Sequence, residues 1–166
     1  MYYTVFKTKP GWIGILASNT GLRAVTLPQT TRQKALDALG QQVKQVELSP
    51  ELFSGLEQRL KDYYAGKKTT FADELDFSKA TPFQRQVYEA ARTIPCGETR
   101  SYGWIAKQIG KPKAARAVGQ ALGKNPFLVI VPCHRVIAGD GTLGGFGGGL
   151  EMKQKLLELE KQTFQS

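Results

Sequence analysis

One histidine and two cysteines among 166 residues leave little of the soft-ligand chemistry that many small proteins rely on. Two cysteines cannot build a disulfide framework, and with a single histidine no Cys/His cluster has zinc-ligand spacing. Reduced thiols, no metal and no cofactor are therefore expected. No window approaches the ~20 apolar residues that a membrane span requires, and Met1-Tyr2-Tyr3-Thr4 does not lead from a basic region into an apolar stretch. The expected compartment is the cytoplasm, with no membrane partner. No Gly-x-x-x-x-Gly-Lys-Ser/Thr sequence, internal repeat or low-complexity segment occurs. Gly139 to Gly144 fits the dinucleotide fingerprint formally, but too little chain follows for the βαβ unit that fingerprint serves.

What is present is an ordinary globular chain, 41% hydrophobic and 22% charged, long enough for one core or one core plus a satellite. Its net charge of +9 is unevenly spread. Between residues 85 and 135, nine lysines and arginines face only Glu89 and Glu98. Such an excess suits either a polyanion partner or a solvated basic surface, and charge alone does not choose.

The pattern along the chain predicts an α+β protein in two regions. Residues 2–6, 12–16 and 22–27 are short β-prone runs divided by Lys9-Pro10-Gly11 and Ser18-Asn19-Thr20-Gly21, which reads as an antiparallel meander. A helix over 31–39 stopped by Gly40, an edge strand within 43–48 and a helix opened by Ser49-Pro50-Glu51 follow, the last with Phe53, Leu56, Leu60 and Tyr64 on one face. The polar stretch 67–79 is the expected linker, giving domains 1–80 and 81–166.

The second region opens with Thr81-Pro82-Phe83-Gln84, a capping-box pattern with proline in the first turn, predicting a helix over about 82–92. Ser101 can cap a short helix that Gly110 and Pro112 break, and Ala114 to Leu122 forms a second. That is helix-turn-helix spacing, and two helices packed in a core have it too. Ala115, Ala117, Gly119 and Ala121 leave the second helix small-surfaced, with Arg116 projecting, as close approach to a nucleic-acid groove requires and as simple helix propensity also explains.

The only histidine stands beside a cysteine in Pro132-Cys133-His134-Arg135-Val136, after an apolar run, 127–131, that reads as a buried strand. Cys133 is the candidate nucleophile. As adjacent residues of an extended segment, Cys133 and His134 would point apart, so a water bridge suits them better than a direct ion pair. A thiol attacks only as thiolate, and His134, Arg135 or nearby helix N-termini are the groups available to favour it. The alternative is a buried, inert cysteine. Cys96 reads as filler before a turn. Seven of the eleven residues from Gly139 to Gly149 are glycine, and such a loop can bring backbone groups close to a flat ligand as a pocket wall. On the last helix, about 150–161, Glu160 lies three and four residues beyond Leu157 and Leu156, where it either orients His134 or frays into water.

Thr81-Pro82-Phe83-Gln84, the run Ile94 to Gly103, Ala115-Arg116-Ala117-Val118-Gly119, Asn125-Pro126, Pro132 to Val136 and Gly148-Gly149-Leu150, in this order and spacing, resemble the O6-alkylguanine-DNA alkyltransferase family over essentially all of 81–166. The resemblance implies an N-terminal domain of RNase H-like plan and a mostly helical, winged helix-turn-helix C-terminal domain. It implies a monomer acting on double-stranded DNA that carries O6-alkylguanine. Cys133 would displace the alkyl group from O6, His134 would draw the thiol proton through a water, and Glu160 would orient His134. Tyr102 would donate toward N3 of the departing guanine. Arg116 would fill the gap left by the flipped nucleotide, on a helix whose Ala115, Ala117 and Gly119 approach the minor groove. Asn125 would hold the turn before the active-site segment, and Asn125, Pro126, Val136, Phe146 and Gly147 would line the guanine pocket. Family members often carry tyrosine and serine at 146 and 147, so preference for bulky adducts is expected to differ. The zinc ligands of some N-terminal domains have no counterparts here. A lesion-binding protein without transfer and a Cys-His hydrolase are the competing classes. The first lacks the nucleophile that Cys133 supplies, and the second would turn over repeatedly.

Overall fold

The computed structural model describes residues 1–146 and 149–165. The chain divides into two compact units, Met1–Asp76 with Pro126–Ile130, and Phe77–Asn125 with Val131 onward.

In the first unit, β1 (Tyr2–Thr8), β2 (Gly11–Ser18) and β3 (Gly21–Val25) form the expected meander, and β4 (Glu47–Leu48) adds to the free edge of β1. β4, the expected edge strand, is parallel to β1, because the chain between them crosses the sheet through α1 (Arg32–Leu39). Thr31 caps α1 by accepting from the Lys34 N–H, and Gly40 ends it. Gly14 of β2 is where α1 lies closest: a Cβ there would fall 2.8 Å from the Leu39 side chain. Ser49 caps nothing with its side chain. Pro50–Phe53 is a 3-10 turn, and the regular helix α2 (Ser54–Tyr64) starts after it. The polar stretch 67–79 is tied down near its end, since Leu22 N–H donates to Glu74 O and Asp76 N–H to Leu22 O.

Phe127, Val129, Ile130 and Val131 are buried as expected and Leu128 partly so, but the segment does not make a continuous strand. Val25 pairs with this segment through Val25 N–H to Pro126 O (2.9 Å) and Leu128 N–H to Val25 O (3.2 Å), after which the chain turns at Val129, whose φ is +73°. An apolar run specifies burial but not extension, and the pairing with β3 is limited to a bridge at Phe127.

The second unit contains α3 (Pro82–Ala91), β5 (Arg100–Ser101), α4 (Tyr102–Gln108), α5 (Ala115–Gly123), β6 (Val136–Ile137) and α6 (Leu150–Gln165). Both halves of the α3 capping box form: Gln84 N–H donates to Thr81 Oγ1 at 3.1 Å, and Thr81 N–H to Gln84 Oε1 at 3.0 Å. Ser101 caps α4 through the Trp104 N–H. Val87, Tyr88, Ala91, Ile105, Ala106, Val118, Ala121 and Leu122 bury the facing sides of α3, α4 and α5. Tyr88 adds a buried hydrogen bond from its hydroxyl to Ala121 O, 2.8 Å. β5 and β6 pair in parallel. The protein is thus an α+β fold with an N-terminal sheet and a mainly helical C-terminal region.

Candidate active site

Cys133, His134 and Arg135 form one 3-10 turn, not part of a strand. Cys133 N–H donates to Val131 O at 2.8 Å and Arg135 N–H to Pro132 O at 2.9 Å, so the backbone coils sharply at the candidate nucleophile. The Asn125 amide closes the base of this segment by donating to Val131 O, 3.0 Å, and it also donates to the Cys133 sulfur.

His134 is 0% and Glu160 1% exposed, and His134 Nε2 lies 2.6 Å from Glu160 Oε2. Burial pushes the imidazole down from its ordinary pKa, against the opposing pull of Glu160, so the neutral ring is favoured. With Nε2–H directed to the carboxylate, the free lone pair is on Nδ1, which has no hydrogen-bond partner among the described residues. Burial acts to raise the Glu160 carboxyl, but the hydrogen bonds and charges of His134 and Arg135 overcome it and hold the group at about 2.

Arg135 does not serve the thiol as the sequence suggested. Its Nε donates to Glu160 Oε1 (2.7 Å), Nη2 to Oε2 (2.9 Å) and Nη1 to Ile94 O (2.6 Å), so a planar fork holds the carboxylate while His134 uses it. The thiol itself is pushed up from its ordinary pKa by burial, with Asn125 and then Lys153 acting in the opposite direction. Burial of the sulfur therefore outweighs the groups expected to lower its pKa: Arg135 is committed to Glu160, and the neutral His134 lends no positive charge, although its Nδ1 stays open as a base.

A cavity of about 480 Å³ is lined by Tyr102, Ala115, Arg116, Gly119, Gln120, Leu122, Gly123, Cys133, Gly145 and Phe146. That volume is within the range of small-molecule sites. Of the residues singled out from the sequence, the structure brings Tyr102, Ala115, Arg116, Gly119, Cys133 and Phe146 to this cavity. His134 and Glu160 are buried and do not line it, Val136 is fully buried, and Ala117 is exposed on α5 without lining it. Pro126 belongs to the first unit and does not line it, and Gly147 lies outside the described residues. Tyr102 donates to Gly145 O at 3.3 Å, and its ring passes Gly119 of α5. Burial, then the neighbouring Cys133, push its phenol up from the ordinary value, so it keeps its proton. Among the described residues no group of three or more His, Cys, Asp and Glu side chains could hold a metal ion, and no helix is long and apolar enough to cross a membrane.

Sequence reasoning missed Lys153. The residue is 0% exposed, and its ammonium donates to Val136 O at 2.7 Å, to Gly145 O at 3.2 Å and to Leu143 O. The available signal was its spacing, three residues before Leu156 and seven before Glu160, on the inward face of α6.

Comparison with known proteins accounts for both regions. Residues 1–77 match the family model for the 6-O-methylguanine DNA methyltransferase, ribonuclease-like domain, and residues 82–162 that for its DNA binding domain. A methylated-DNA–protein-cysteine methyltransferase of Methanosarcina acetivorans is 41% identical over 160 residues, 96% of this chain and 98% of that protein. One from Mycobacterium bovis is 58% identical over 112 residues, 68% of this chain and 67% of that protein. The crystal structure of Mycobacterium tuberculosis OGT in complex with DNA superposes with a TM-score of 0.81 at 44% identity, covering 98% of this chain and 94% of that one.

Proposed function

Because the chain belongs to the 6-O-methylguanine DNA methyltransferase family, we propose that it repairs DNA by direct reversal, moving the O6-alkyl group of guanine irreversibly onto Cys133. The observation that carries this reading is that one cavity is lined by both Cys133 and Arg116, the nucleophile and the long cation of the second helix-turn-helix helix.

O6 is buried in the base stack, so a protein sulfur reaches its alkyl carbon only if the nucleotide leaves the duplex, at a cost of a few kcal/mol. Arg116 is exposed on α5, whose neighbouring Ala115, Ala117 and Gly119 carry little bulk, and it takes the place of the flipped nucleotide. The flipped base enters the cavity against Tyr102, Phe146 and the backbone of Cys133 and Gly145.

Neutral His134 is the base. Nδ1 takes the thiol proton through a bridging water while Glu160 holds Nε2, and Arg135 holds Glu160. The thiolate displaces guanine at the alkyl carbon: the S–C bond forms, the C–O6 bond breaks, and the bonding pair leaves with guanine. Tyr102 protonates the departing base at N3, which improves the leaving group. Over the whole reaction the proton lost by the thiol is gained by guanine. The product is a thioether with no acyl carbon for water to attack, so each molecule reacts once. The protein acts as a monomer, without cofactor, and in the cytoplasm, where the thiol stays reduced.

The test is intact-mass analysis after exposure to duplex DNA containing O6-methylguanine. A gain of one methyl group mapped to Cys133, absent in Cys133→Ala although that variant still binds the duplex, is the expected result. An unchanged mass, or modification of Cys96 instead, overturns the reading.

A further inference from the structure

The solvent-facing side of α5 carries three long side chains, and they stand in line. Arg116, Gln120 and the C-terminal cap Lys124 recur every four residues and are all exposed, so they form one ridge whose members lie about 6 Å apart along the helix. Ala117 and Gly123, exposed beside them, leave the ridge standing clear. Arg116 and Gln120 both border the cavity that Cys133 lines. None of the three side chains has a hydrogen bond or an ion pair among the described residues.

The chemistry changes along this ridge. Arg116 and Lys124 are cations, and contacts of cations with phosphate do not depend on sequence. Gln120 between them is uncharged, so it gains little from a phosphate, and as a helix former it has no advantage over the alanines around it. What a primary amide offers is a donor and an acceptor side by side. In the minor groove every base pair presents acceptors, and a G·C pair alone adds a donor, the N2 amino group of guanine.

We infer that Gln120 is a specificity-determining residue for alkyl transfer, which reads the minor-groove edge of the base pair next to the flipped guanine, on the side toward which α5 runs from Arg116. The inference rests on the alkyl-transfer reading, in which Arg116 takes the place of the flipped nucleotide. One helical turn of about 6 Å is less than two base steps of about 3.4 Å each, so the Gln120 amide comes level with the adjoining pair. Against G·C, Oε1 accepts from the guanine N2 amino group and Nε2 donates to guanine N3. Against A·T, Nε2 still has an acceptor and Oε1 has no donor. Lys124, one turn further, meets the phosphate backbone. Removal of the alkyl group is therefore faster where the adjoining pair is G·C, although the sulfur never touches that pair.

The experiment measures transfer below saturation from duplexes carrying one O6-methylguanine, for the wild type and Gln120→Ala. The adjoining pair is G·C, inosine·C or A·T, placed on the 5′ side of the lesion and then on the 3′ side; inosine is guanine without its N2 amino group. Dividing the wild-type rate by the variant rate on each duplex cancels the effect of the pair on stacking. That quotient is expected to be about fivefold larger for G·C than for inosine·C or A·T, on one side of the lesion only. Equal quotients for all three pairs, or the same dependence on both sides, overturns the proposal. So does an equal loss on every duplex and on free O6-benzylguanine, which would make Gln120 a part of the cavity wall. Alanine is the best helix former, and position 120 is exposed, so the variant keeps its fold. A second measurement needs no transfer: Cys133→Ala and Cys133→Ala/Gln120→Ala are titrated with the same duplexes, and the affinity of the first is expected to follow the N2 amino group while that of the second does not. Affinities indifferent to the amino group in both proteins overturn the proposal. Absence of transfer from the wild type, with the dependence of binding intact, would count against the repair reading and leave the Gln120 result standing.

Discussion

The Glu160 carboxylate receives His134 Nε2 at 2.6 Å on Oε2, and both side chains are closed to solvent. The contact fixes which ring nitrogen carries the proton and leaves Nδ1 as the basic one. Arg135 grips both oxygens of the same carboxylate, so Glu160 stays ionised and the imidazole cannot rotate away from it.

Replacing Glu160 by Gln removes that lock. Transfer to Cys133 in single-turnover kinetics is expected to slow by roughly ten- to a hundredfold, because the imidazole loses its orientation as a base. Unfolding should report it as well. A carboxyl depressed to about 2 contributes stability that is complete above the ordinary carboxylate range and drains away as pH falls toward 2. His134, depressed and neutral in the folded state, adds an earlier loss as pH falls through about 6.5, where the unfolded chain takes up the proton and the folded one does not. Denaturant midpoints measured against pH should therefore fall in two stages in the wild type, with the lower stage missing in Glu160→Gln. A single profile shared by both proteins would contradict the assignment.

Tyr102→Phe keeps the ring between α5 and the glycine-rich loop and deletes the proton. The transfer step is expected to slow by at least roughly tenfold while affinity for duplex DNA changes little. Unaltered single-turnover rates would remove Tyr102 from the mechanism.

Arg116→Ala leaves the cavity in place but shortens the side chain at its rim. Repair within duplex DNA should weaken markedly and reaction with free O6-benzylguanine much less, since the free base does not have to leave a stack. Equal losses on the two substrates would mean that Arg116 shapes the pocket itself.

Gly144→Ala tests the loop. Gly144 has φ +69°, and a Cβ there would meet the Tyr102 hydroxyl at 2.7 Å. The backbone conformation alone costs an L side chain about 1–2 kcal/mol. Stability is expected to drop by about that amount, and transfer to fall further as Tyr102 is displaced. Full activity with an unshifted thermal midpoint would show that the loop adapts freely.

Signals that act within a few residues are legible in the order of the amino acids. Thr81 and Ser101 satisfy N–H groups three residues ahead of them, a purely local geometry that requires only the right residue at the cap. The Cys133-His134 pair is conspicuous because the chain has no other histidine, and the inward position of Glu160 follows from helical spacing. The run 127–131 has the composition of a strand and is not one, since apolar character specifies burial while the bridge to Val25 and the turn at Val129 depend on a partner far away in sequence. Arg135 departs from expectation for the same reason: nothing near it in the sequence indicates that its fork reaches Glu160, 25 residues on.

By itself the sequence determined the main helices, the caps at Thr81 and Ser101, the basic character of 85–135 and the candidate nucleophile, because each depends on residue type and short spacing. Only the tertiary structure decided that Cys133 sits on a 3-10 turn instead of a strand, that Arg135 and His134 share one carboxylate, and that Lys153 is enclosed with its ammonium on three backbone carbonyls. Hydrogen bonds and electric fields act across space, and their partners here are brought together by segments separated by up to dozens of residues of chain.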